Sequence, residues 1–363
     1  MRVTIVGAGI IGYAAAYELA ARGAEVRIID PRGRGQGATR ASAGILAPHI
    51  EGHSPEFLRL ALESLDRYDS FITRVSADAQ RTIEYRRSGT LQVACTDDEA
   101  WTLEEAAREL AQRGASHTFV DGDGARQLEP ALSDRIRAGL LIPDNGYVGV
   151  ATLMAALEAA SGRHGARLDI LPVDRIERAG GVRVHAGKER IDTDAVVLAA
   201  GSWSGGIPMS PAAPPPVRPV RGQILQLRFD SPPLTRIAWG SAAYLVPWTD
   251  GNLLVGATSE HVGFDDSVTA AGVAQLQAAA AELLPASRAA RFVEARAGLR
   301  PATADELPIV GRSSTMRGVY YATGHYRNGV LLAPLTASLV ADLVLDGREC
   351  AELASMRPDR FGL

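Results

Sequence analysis

The clearest pattern of apolar and polar positions lies at the amino-terminal end of the chain. An apolar run, Val3 to Val6, precedes a stretch of small and apolar residues with helical spacing, and a second strand-like segment, Glu25 to Ile29, follows it. This order predicts a strand, a helix and a second strand. The chain therefore opens with a unit typical of an α/β fold.

A glycine-rich turn joins the first predicted strand to the helix. Its sequence is Gly7-Ala8-Gly9-Ile10-Ile11-Gly12. We expect Gly7 to permit the tight turn, Gly9 to let a pyrophosphate approach the backbone, and Gly12 to let the helix pack closely on the strand. The second strand ends in Asp30, near the spacing at which a carboxylate binds ribose hydroxyls. The sequence thus predicts a dinucleotide site at the helix N-terminus, where unpaired N–H groups attract phosphate.

Apolar periodicity predicts helices and strands along the rest of the chain. The predicted helices are Pro55 to about Arg74, Asp98 to Arg113, Ala151 to His164, Ala270 to Leu284 and Asn328 to Leu345. The predicted strands are two within residues 82–94, then Asp174 to Arg178, Val182 to Ala186, Ile191, Val196 to Ala199, Val220 to Leu227, Ala243 to Val246, Leu253 to Val255 and Val319 to Ala322.

At 363 residues the chain is longer than one hydrophobic core supports, which predicts two domains. We predict an α/β fold with a discontinuous Rossmann-type domain, formed by residues 1–80, 145–210 and 310–363. Residues 81–144 and 211–309 would form a second, α+β substrate domain on an antiparallel sheet. The six prolines from Pro208 to Pro219 favour a linker between domains, with a PxxP peptide ligand as the alternative.

Composition and charge argue against several classes of protein. The net charge is −4 and the 38 Lys and Arg residues are scattered, so we expect no nucleic-acid partner. Cys95 and Cys350 lie far apart and outside any CxxC pair, which fits a reducing compartment and argues against a zinc site. No apolar stretch suits a bilayer span and no export leader precedes the first strand, so we expect a cytoplasmic protein without membrane contact.

Three later segments carry candidate chemistry. Ala199-Ala200-Gly201-Ser202-Trp203 ends a buried strand in small residues, which lets a cofactor approach the carboxyl edge of a parallel sheet. Ala297-Gly298-Leu299-Arg300-Pro301 places an arginine before a proline, where its guanidinium can offer a bidentate fork to a carboxylate. Gly324-His325-Tyr326-Arg327-Asn328-Gly329 follows a strand and opens the predicted last helix. Its N–H groups are therefore expected to point at whatever lies above the sheet.

Together these segments resemble the D-amino-acid-oxidase-like family of FAD flavoproteins, most closely its glycine oxidase branch of the thiamine-pathway type. The resemblance spans nearly the whole chain. It rests on the Gly7 to Gly12 turn, the loop Ala38 to Leu46, the Ala200-Gly201 turn, the Arg300-Pro301 segment and, most specifically, Gly324 to Pro334. It implies that the nucleotide is FAD and that the discontinuous domain is an FAD-binding domain.

The resemblance also implies a set of cofactor contacts. Asp30, where the family often has Glu, would bind the adenosine ribose, and the backbone of Val173 would hold the adenine. The cysteine that some relatives use to bond FAD has no equivalent in residues 298–305, which implies a noncovalent cofactor. The implied cofactor-binding residues are Gly7, Gly9, Ile11, Gly12, Asp30, Thr39, Ala43, Gly44, Val173, Gly201, Arg300, Tyr326, Asn328, Gly329, Val330 and Leu331.

By the same resemblance, Arg300 would bind an amino-acid carboxylate, Tyr244 would hydrogen-bond to it and Arg327 would stand near the mouth of the site. The implied reaction is oxidative deamination of glycine or of a small or N-substituted amino acid. A hydride would pass from Cα to flavin N5, O2 would reoxidise the flavin to give H2O2, and the imine would hydrolyse to a 2-oxo acid. Gly329 and Val330 would bring the positive end of the last helix beside the flavin pyrimidine ring.

Several alternatives stay open on the sequence. An amino acid dehydrogenase with a non-oxygen acceptor, a specialised biosynthetic amine oxidase, an FAD-binding protein without turnover and a nicotinamide dehydrogenase each fit part of the pattern. The alternative for Arg300 is a buried ion-pair residue, and Tyr244 can equally be a core residue. His49, Glu51 and His53 alternate as metal ligands can, but we favour a loop near the flavin and predict no metal. A homo-oligomer is expected from the relatives.

Overall fold

The computed structural model describes residues 1–50, 54–178 and 180–363. The α-helices in these ranges are α1 (Ile10–Ala21), α2 (Pro55–Asp66), α3 (Tyr68–Ala79), α4 (Asp97–Gln112), α5 (Gly122–Leu128), α6 (Val150–Arg163), α7 (Ala270–Leu283) and α8 (Ala333–Ala341). The first eleven strands are β1 (Arg2–Val6), β2 (Glu25–Ile29), β3 (Ile45–Leu46), β4 (Tyr85–Arg86), β5 (Thr90–Ala94), β6 (Thr118–Asp121), β7 (Ala138–Ile142), β8 (Gly146–Val148), β9 (Arg167–Asp169), β10 (Val173–Arg178) and β11 (Val182–Ala186). The later strands are β12 (Glu189–Thr193), β13 (Ala195–Leu198), β14 (Met209–Ser210), β15 (Arg218–Arg228), β16 (Ile237–Trp239), β17 (Tyr244–Pro247), β18 (Asn252–Gly256), β19 (Arg291–Ala302), β20 (Ile309–Arg312) and β21 (Val319–Thr323).

The first of the two large sheets has six strands, in the order β20-β21-β13-β1-β2-β9. Its strands are parallel except β20, which pairs antiparallel with β21 at the edge. The chain builds outward from β1 through β2 on one side and through β13 on the other. β1 and β13 therefore border the switch point at which open α/β sheets bind ligands beyond the carboxyl ends of their strands.

Both faces of this sheet are covered, as a parallel sheet requires. Val3, Ile5 and Val197 point to one face and pack against the apolar sides of α1, α2, α3, α6 and α8. Val6 and Val196 point to the other face and pack on the four-stranded sheet β12-β11-β10-β14, which is antiparallel except for the parallel pair β10 and β14. The predicted Rossmann-type unit is confirmed as a layer of helices, a sheet and a smaller second sheet.

The glycines of the first turn are required by close packing within the protein. Gly7 has a φ of +113°, and a Cβ there would lie 2.4 Å from the Ala199 carbonyl oxygen. A Cβ on Gly12 would lie 1.9 Å from the Gly7 carbonyl oxygen. These two glycines thus let β1, α1 and the end of β13 approach one another, as the sequence predicts.

The second large sheet has eight strands, in the order β19-β15-β18-β17-β16-β5-β7-β6. Its pairs are antiparallel except β16 with β5, which are parallel. One face is covered by α5 and α7, and α4 packs on β5 and β7. The other face carries Ile224, Val246 and Leu254, which pack on Ala43 and Ala41 from the loop after β2.

Two predicted helices differ from those observed. The single helix from Pro55 to Arg74 is two helices, because the Arg67 N–H bonds to the Ser64 carbonyl in a tighter turn and breaks the α-helical ladder. The last helix begins at Ala333 rather than Asn328. Pro334 lacks an N–H and so fits only the first turn of a helix, and residues 328–332 form a separate turn before it.

Several strands have no counterpart among the predictions, and β19 is the longest of them. Its sequence, RFVEARAGLRPA, places Arg296, Gly298 and Arg300 on one face. That face lacks the apolar alternation by which strands are recognised. Of these residues, Arg300 lines the cleft described below, and Arg296 donates to Gln226 on β15.

The proline-rich stretch from Pro208 to Pro219 leads into β15, and within it Met209–Ser210 pairs with β10. The position of the domain boundaries stays a prediction. In the part of the chain that the structure describes, no helix combines the length and the apolar character needed to cross a membrane.

Candidate active site

A cleft separates the carboxyl edge of the six-stranded sheet from the inner face of the eight-stranded sheet. We call the two walls the Rossmann side, built from residues 7–11, 30–47, 199–203 and 322–331, and the sheet side, built from residues 239–244, 256–259 and 299–301. The predicted site residues that line this cleft are Gly7, Gly9, Ile11, Asp30, Thr39, Ala43, Gly44, Gly201, Tyr244, Arg300, Tyr326, Arg327, Asn328, Gly329, Val330 and Leu331. The fold thus brings distant segments of the sequence together.

Two predicted cofactor residues are not among those that line the cleft. Gly12 lies one turn into α1, where its contact with Gly7 accounts for the absence of a side chain. Val173 begins β10 and pairs with Ala186. The assignment of Val173 to the adenine stays a prediction.

The start of α1 offers N–H groups to the cleft. The first N–H groups of a helix have no intrahelical acceptor, and one of them, on Ile10, donates to Thr39 Oγ1 at 3.1 Å. A Cβ on Gly9 would meet nothing closer than that same Thr39 oxygen, at 3.4 Å. Gly9 therefore leaves space over the helix N-terminus instead of filling it with protein, which fits a diphosphate.

Asp30 joins the turns that follow β1 and β2. Its Oδ2 accepts from the Ala8 N–H at 3.0 Å, and its Oδ1 accepts from the N–H groups of Arg32 and Gly33 at 2.7 and 3.1 Å. A carboxylate offers about four acceptor positions. Asp30 therefore organises the backbone of the cleft, and its contact with a ribose stays a prediction.

Arg32 and Trp203 extend this end of the cleft, and sequence reasoning assigned neither a role. The Arg32 guanidinium carbon lies 3.5 Å from the centroid of the Trp203 ring, a stacked cation–π contact. The Asp30-Pro31-Arg32 order places a cation directly after the predicted ribose carboxylate. That order is the signal by which Arg32 could have been found.

The loop after β2 is locked against β8. Gly44 has a φ of +73°, and a Cβ there would lie 1.9 Å from the Val148 carbonyl oxygen. The Gly44 N–H donates to Ser42 Oγ at 3.3 Å, and its carbonyl accepts from the Val148 N–H at 2.9 Å. Ala43, buried beside Gly44, faces the cleft from a backbone with little freedom.

The turn before α8 presents backbone N–H groups to the cleft. The carbonyl of Val330 accepts from Tyr68 Oη at 2.5 Å, and that of Leu331 accepts from Ser64 Oγ at 2.7 Å. Among the described residues, the N–H groups of Gly329, Val330 and Leu331 have no protein acceptor. This edge of the cleft is therefore a row of hydrogen-bond donors, although the helix proper begins later than predicted.

His325 is buried in the same turn, and burial lowers its pKa to about 3. Its Nε2 lies 3.0 Å from Thr336 Oγ1 on α8. The imidazole is therefore neutral at physiological pH. The side chain therefore lines the cleft and also contacts α8.

On the sheet side, Arg300 lies across the glycine of a neighbouring strand. Arg300 pairs with Val220, and a Cβ on the adjacent Gly222 would lie 2.3 Å from the guanidinium carbon. Arg300 Nη1 donates to the Thr258 carbonyl at 2.9 Å and to the Arg221 carbonyl at 3.5 Å. Gly222 thus makes room for a guanidinium whose plane is set by backbone carbonyls.

Tyr244 uses the same arrangement on the next pair of strands. It pairs with Gly256, and a Cβ on Gly256 would lie 2.3 Å from Tyr244 Oη. Trp239, its partner on β16, packs against the Tyr244 ring with centroids 5.1 Å apart. Since paired residues share a face, the register places Tyr244 and Arg300 on one side of the sheet, over glycines.

Hydrogen bonds on both sides of Arg300 tie the sheet side to the Rossmann side. Ser202 Oγ donates to the Leu299 carbonyl at 2.8 Å, and the Tyr326 N–H donates to the Pro301 carbonyl at 2.8 Å. Tyr326 itself has a φ of +49°, uncommon for a residue with a side chain. The exposed Arg327 then lies over the Tyr326 ring, its guanidinium carbon 5.1 Å from the centroid.

The proposed metal trio is only partly described. Glu51 and His53 lie outside the described residues. Burial lowers the pKa of His49, the remaining member. No metal-binding group of three or more His, Cys, Asp or Glu side chains occurs among the residues that are described.

Comparison with known proteins shows the family and the fold of the chain. The family model described as FAD dependent oxidoreductase matches residues 2–343. The glycine oxidase of Geobacillus kaustophilus is 35% identical over 349 residues, which cover 94% of this chain and 92% of the relative. Its crystal structure superimposes with a TM-score of 0.92 over 98% of both chains.

Two further relatives show the range of proteins that share this fold. The bifunctional protein ThiO/ThiG of Synechocystis is 33% identical over 99% of this chain, which spans only 54% of that relative's length. The iminodiacetate oxidase of Chelativorans sp. BNC1 is 28% identical, with a TM-score of 0.88 over 98% of this chain and 99% of its own. On this evidence the chain belongs to the DAO family of FAD-dependent oxidoreductases and is an enzyme of the glycine oxidase type.

Proposed function

We propose that this protein oxidises the amine of glycine or another small or N-substituted amino acid to an imine, which water hydrolyses to a 2-oxo acid and the amine product. O2 would take up the two electrons and two protons as H2O2. The observation that carries the proposal is the placement of Arg300 and Tyr244 on one sheet face, opposite the donor-lined Rossmann side. The relatives named glycine oxidase and iminodiacetate oxidase support the substrate class.

FAD fits the Rossmann side. When bound, it would supply the two-electron acceptor that no side chain provides. The N-terminus of α1 above Gly9 would hold the diphosphate, and Asp30 the ribose. The N–H groups of Gly329, Val330 and Leu331 would stabilise negative charge on the ring system.

We propose that the cofactor is held without a covalent bond to cysteine. The chain has two cysteines, Cys95 and Cys350. Neither is among the residues that line the cleft. Denaturation and filtration should therefore release all of the yellow chromophore from the protein.

Arg300 would bind the substrate carboxylate, and Tyr244 Oη would donate to the same group. A guanidinium can bind both oxygens of a carboxylate in one plane, which fixes the Cα of an amino acid in position. Arg327, exposed at the edge of the cleft, would attract the anionic end of the substrate on entry. These residues thus contribute position and charge. The amine of the bound substrate has to lose its proton, and that step needs no strong base.

An anaerobic titration tests the proposal. Purified holoenzyme is mixed with glycine, sarcosine, D-alanine or iminodiacetate while the flavin absorbance is recorded, and air is then admitted. Loss of absorbance with one of them, followed by recovery in air and release of H2O2, is expected. Loss without recovery in air would identify a dehydrogenase instead, and no loss with any of the four would refute the proposed substrate class.

A further inference from the structure

We infer that Glu260 is a positioning residue for the carboxylate clamp, acting on Arg300 through Thr258. The inference rests on the proposed function, in which Arg300 binds the substrate carboxylate. Glu260 follows β18 and lies behind the cleft, with its side chain directed to β15.

The orientation of Arg300 depends on a segment outside the regular sheet. The carbonyl of Thr258 accepts the 2.9 Å hydrogen bond from Arg300 Nη1. Thr258 lies between Gly256, where the regular pairing of β18 with β15 ends, and Glu260, which forms an isolated antiparallel bridge with Arg221. Any displacement of this carbonyl would turn the guanidinium away from the substrate.

The side chain of Thr258 adds hydrogen bonds to this backbone pairing. Its Oγ1 accepts from the Gln223 N–H at 2.9 Å and donates to Glu260 Oε1 at 2.6 Å. Its own N–H reaches the Gln223 carbonyl at 3.2 Å. Thr258 is therefore held between the backbone of β15 and the carboxylate of Glu260.

Glu260, whose side chain is 28% exposed, is the centre of a polar network with the buried residues Arg221, Gln223 and Thr258. Its Oε1 also accepts from Gln223 Nε2 at 2.8 Å, and its Oε2 accepts from Arg221 Nη2 at 2.6 Å. The backbones of Glu260 and Arg221 exchange two hydrogen bonds of 2.9 Å. The Arg221 hydrogen bond is the largest of the effects that lower the pKa of Glu260 to about 2.

Arg221 links the network to Arg300 a second way. Its guanidinium is 5% exposed and also binds Asp265 at 2.6 Å, while its carbonyl accepts the longer 3.5 Å contact from Arg300. Both carbonyls that orient Arg300 therefore belong to residues bonded to Glu260. Removing the carboxylate would leave Arg221 buried with one partner fewer and take away the acceptor that holds the Thr258 hydroxyl.

The test is Glu260→Gln in the holoenzyme. Glutamine keeps the size and one acceptor oxygen, but its N–H2 must face a donor, either Arg221 or the pair Gln223 and Thr258. Acetate, a carboxylate without an amine, serves as the probe, and its Kd is read from the change in flavin absorbance without turnover. We expect the acetate Kd and the KM for glycine to rise about tenfold, because a small misplacement of a binding group is costly, while kcat changes less than about twofold.

Glu129→Gln is the matched control. Glu129 is 1% exposed, pairs with Arg236 at 3.2 Å and bonds to the Thr235 N–H, but it does not line the cleft. The Glu129→Gln variant should lower the temperature of unfolding as Glu260→Gln does, and it should leave the acetate Kd unchanged. If Glu260→Gln does not fold, a second pair of variants is used. Thr258→Val removes the bridging hydroxyl and Thr258→Ser keeps it, so only the valine variant should weaken acetate binding.

Three results would overturn the inference. One is an unchanged acetate Kd in Glu260→Gln, or in Thr258→Val where that pair is used. Another is an equal loss of acetate binding in Glu129→Gln, which would show a general effect of lower stability. Failure of acetate to bind the wild-type holoenzyme, or equal binding to wild type and Arg300→Ala, would instead refute the proposed clamp at Arg300 and this inference with it.

Discussion

The two sides of the cleft are built by opposite means. The Rossmann side presents backbone N–H groups from short turns, and its side chains are mostly small. The sheet side presents the long side chains of Arg300 and Tyr244, which lie over glycines of neighbouring strands. The first kind of site depends on local turns, and the second depends on the register of four strands.

This difference predicts how mutations act on each side. A substitution in the turns of the Rossmann side should disturb folding and cofactor retention together, because the turns pack against each other. A substitution on the sheet side should disturb substrate binding while FAD stays bound. Four experiments, ordered from the largest expected effect to the smallest, test that division.

The largest effect is expected for Gly12→Ala. The new Cβ would lie 1.9 Å from the Gly7 carbonyl oxygen, so α1 must move away from β1. We expect a loss of at least about 3 kcal/mol in the free energy of unfolding, together with loss of FAD from the purified protein. Gly162→Ala in α6, where a Cβ meets nothing within 4 Å, is the control and should be neutral or slightly stabilising.

Arg300→Ala comes next and acts on the other side. Loss of a charged pair with the substrate carboxylate should raise KM about 100-fold, in line with roughly 3 kcal/mol for a charged hydrogen-bonded contact. The FAD content should match that of the wild type. Arg300→Lys keeps the charge but not the planar fork, so it should recover only part of the affinity. A KM near the wild-type value in the alanine variant would remove Arg300 from the site.

Gly256→Ala is a smaller change on the same side. Its Cβ would lie 2.3 Å from Tyr244 Oη and would displace the ring toward Trp239. A rise in KM of about tenfold with unchanged FAD content is expected, similar to that of Tyr244→Phe. Loss of FAD in this variant would contradict the division between the two sides.

The smallest effect concerns the pH dependence of stability. Burial lowers the pKa of His325 to about 3, below its ordinary value of 6.5, so the unfolded chain binds more protons between these values. The contribution of neutral His325 to the free energy of unfolding is therefore complete above about pH 6.5 and is lost as the pH falls toward 3. Urea unfolding at about pH 7 and pH 5 should show a smaller decrease for His325→Gln than for the wild type. The exposed His261→Gln should keep the wild-type slope.

The same division explains what could be predicted from the sequence. Gly7, Gly9 and Asp30 lie within one local motif, and the structure places all three in the cleft as expected. The parallel sheet around β1 follows from runs of apolar residues. The start of α8 was misplaced because apolar periodicity continues through residues 328–332, while Pro334 limits where the helix can begin.

The sheet side was harder to predict. Arg300 and Tyr244 were identified by resemblance, and strand β19 itself was missed because arginines and glycines occupy its inner face. Gly222 and Gly256 carry no local signal, since their importance depends on a neighbour across the sheet. Glu260 was not assigned a role, because its contacts are made to residues on another strand and across a loop.

The hydrogen bonds on either side of Arg300 limit how this enzyme can be recombined with its relatives. The carbonyls of Leu299 and Pro301 are held by Ser202 and Tyr326, which belong to the opposite wall. A chimaera that exchanges the substrate sheet between two family members must therefore also match those two turns. Substrate binding therefore depends on the sheet together with the two turns that hold it. A sheet exchanged alone would keep its arginine but lose the contacts that orient it.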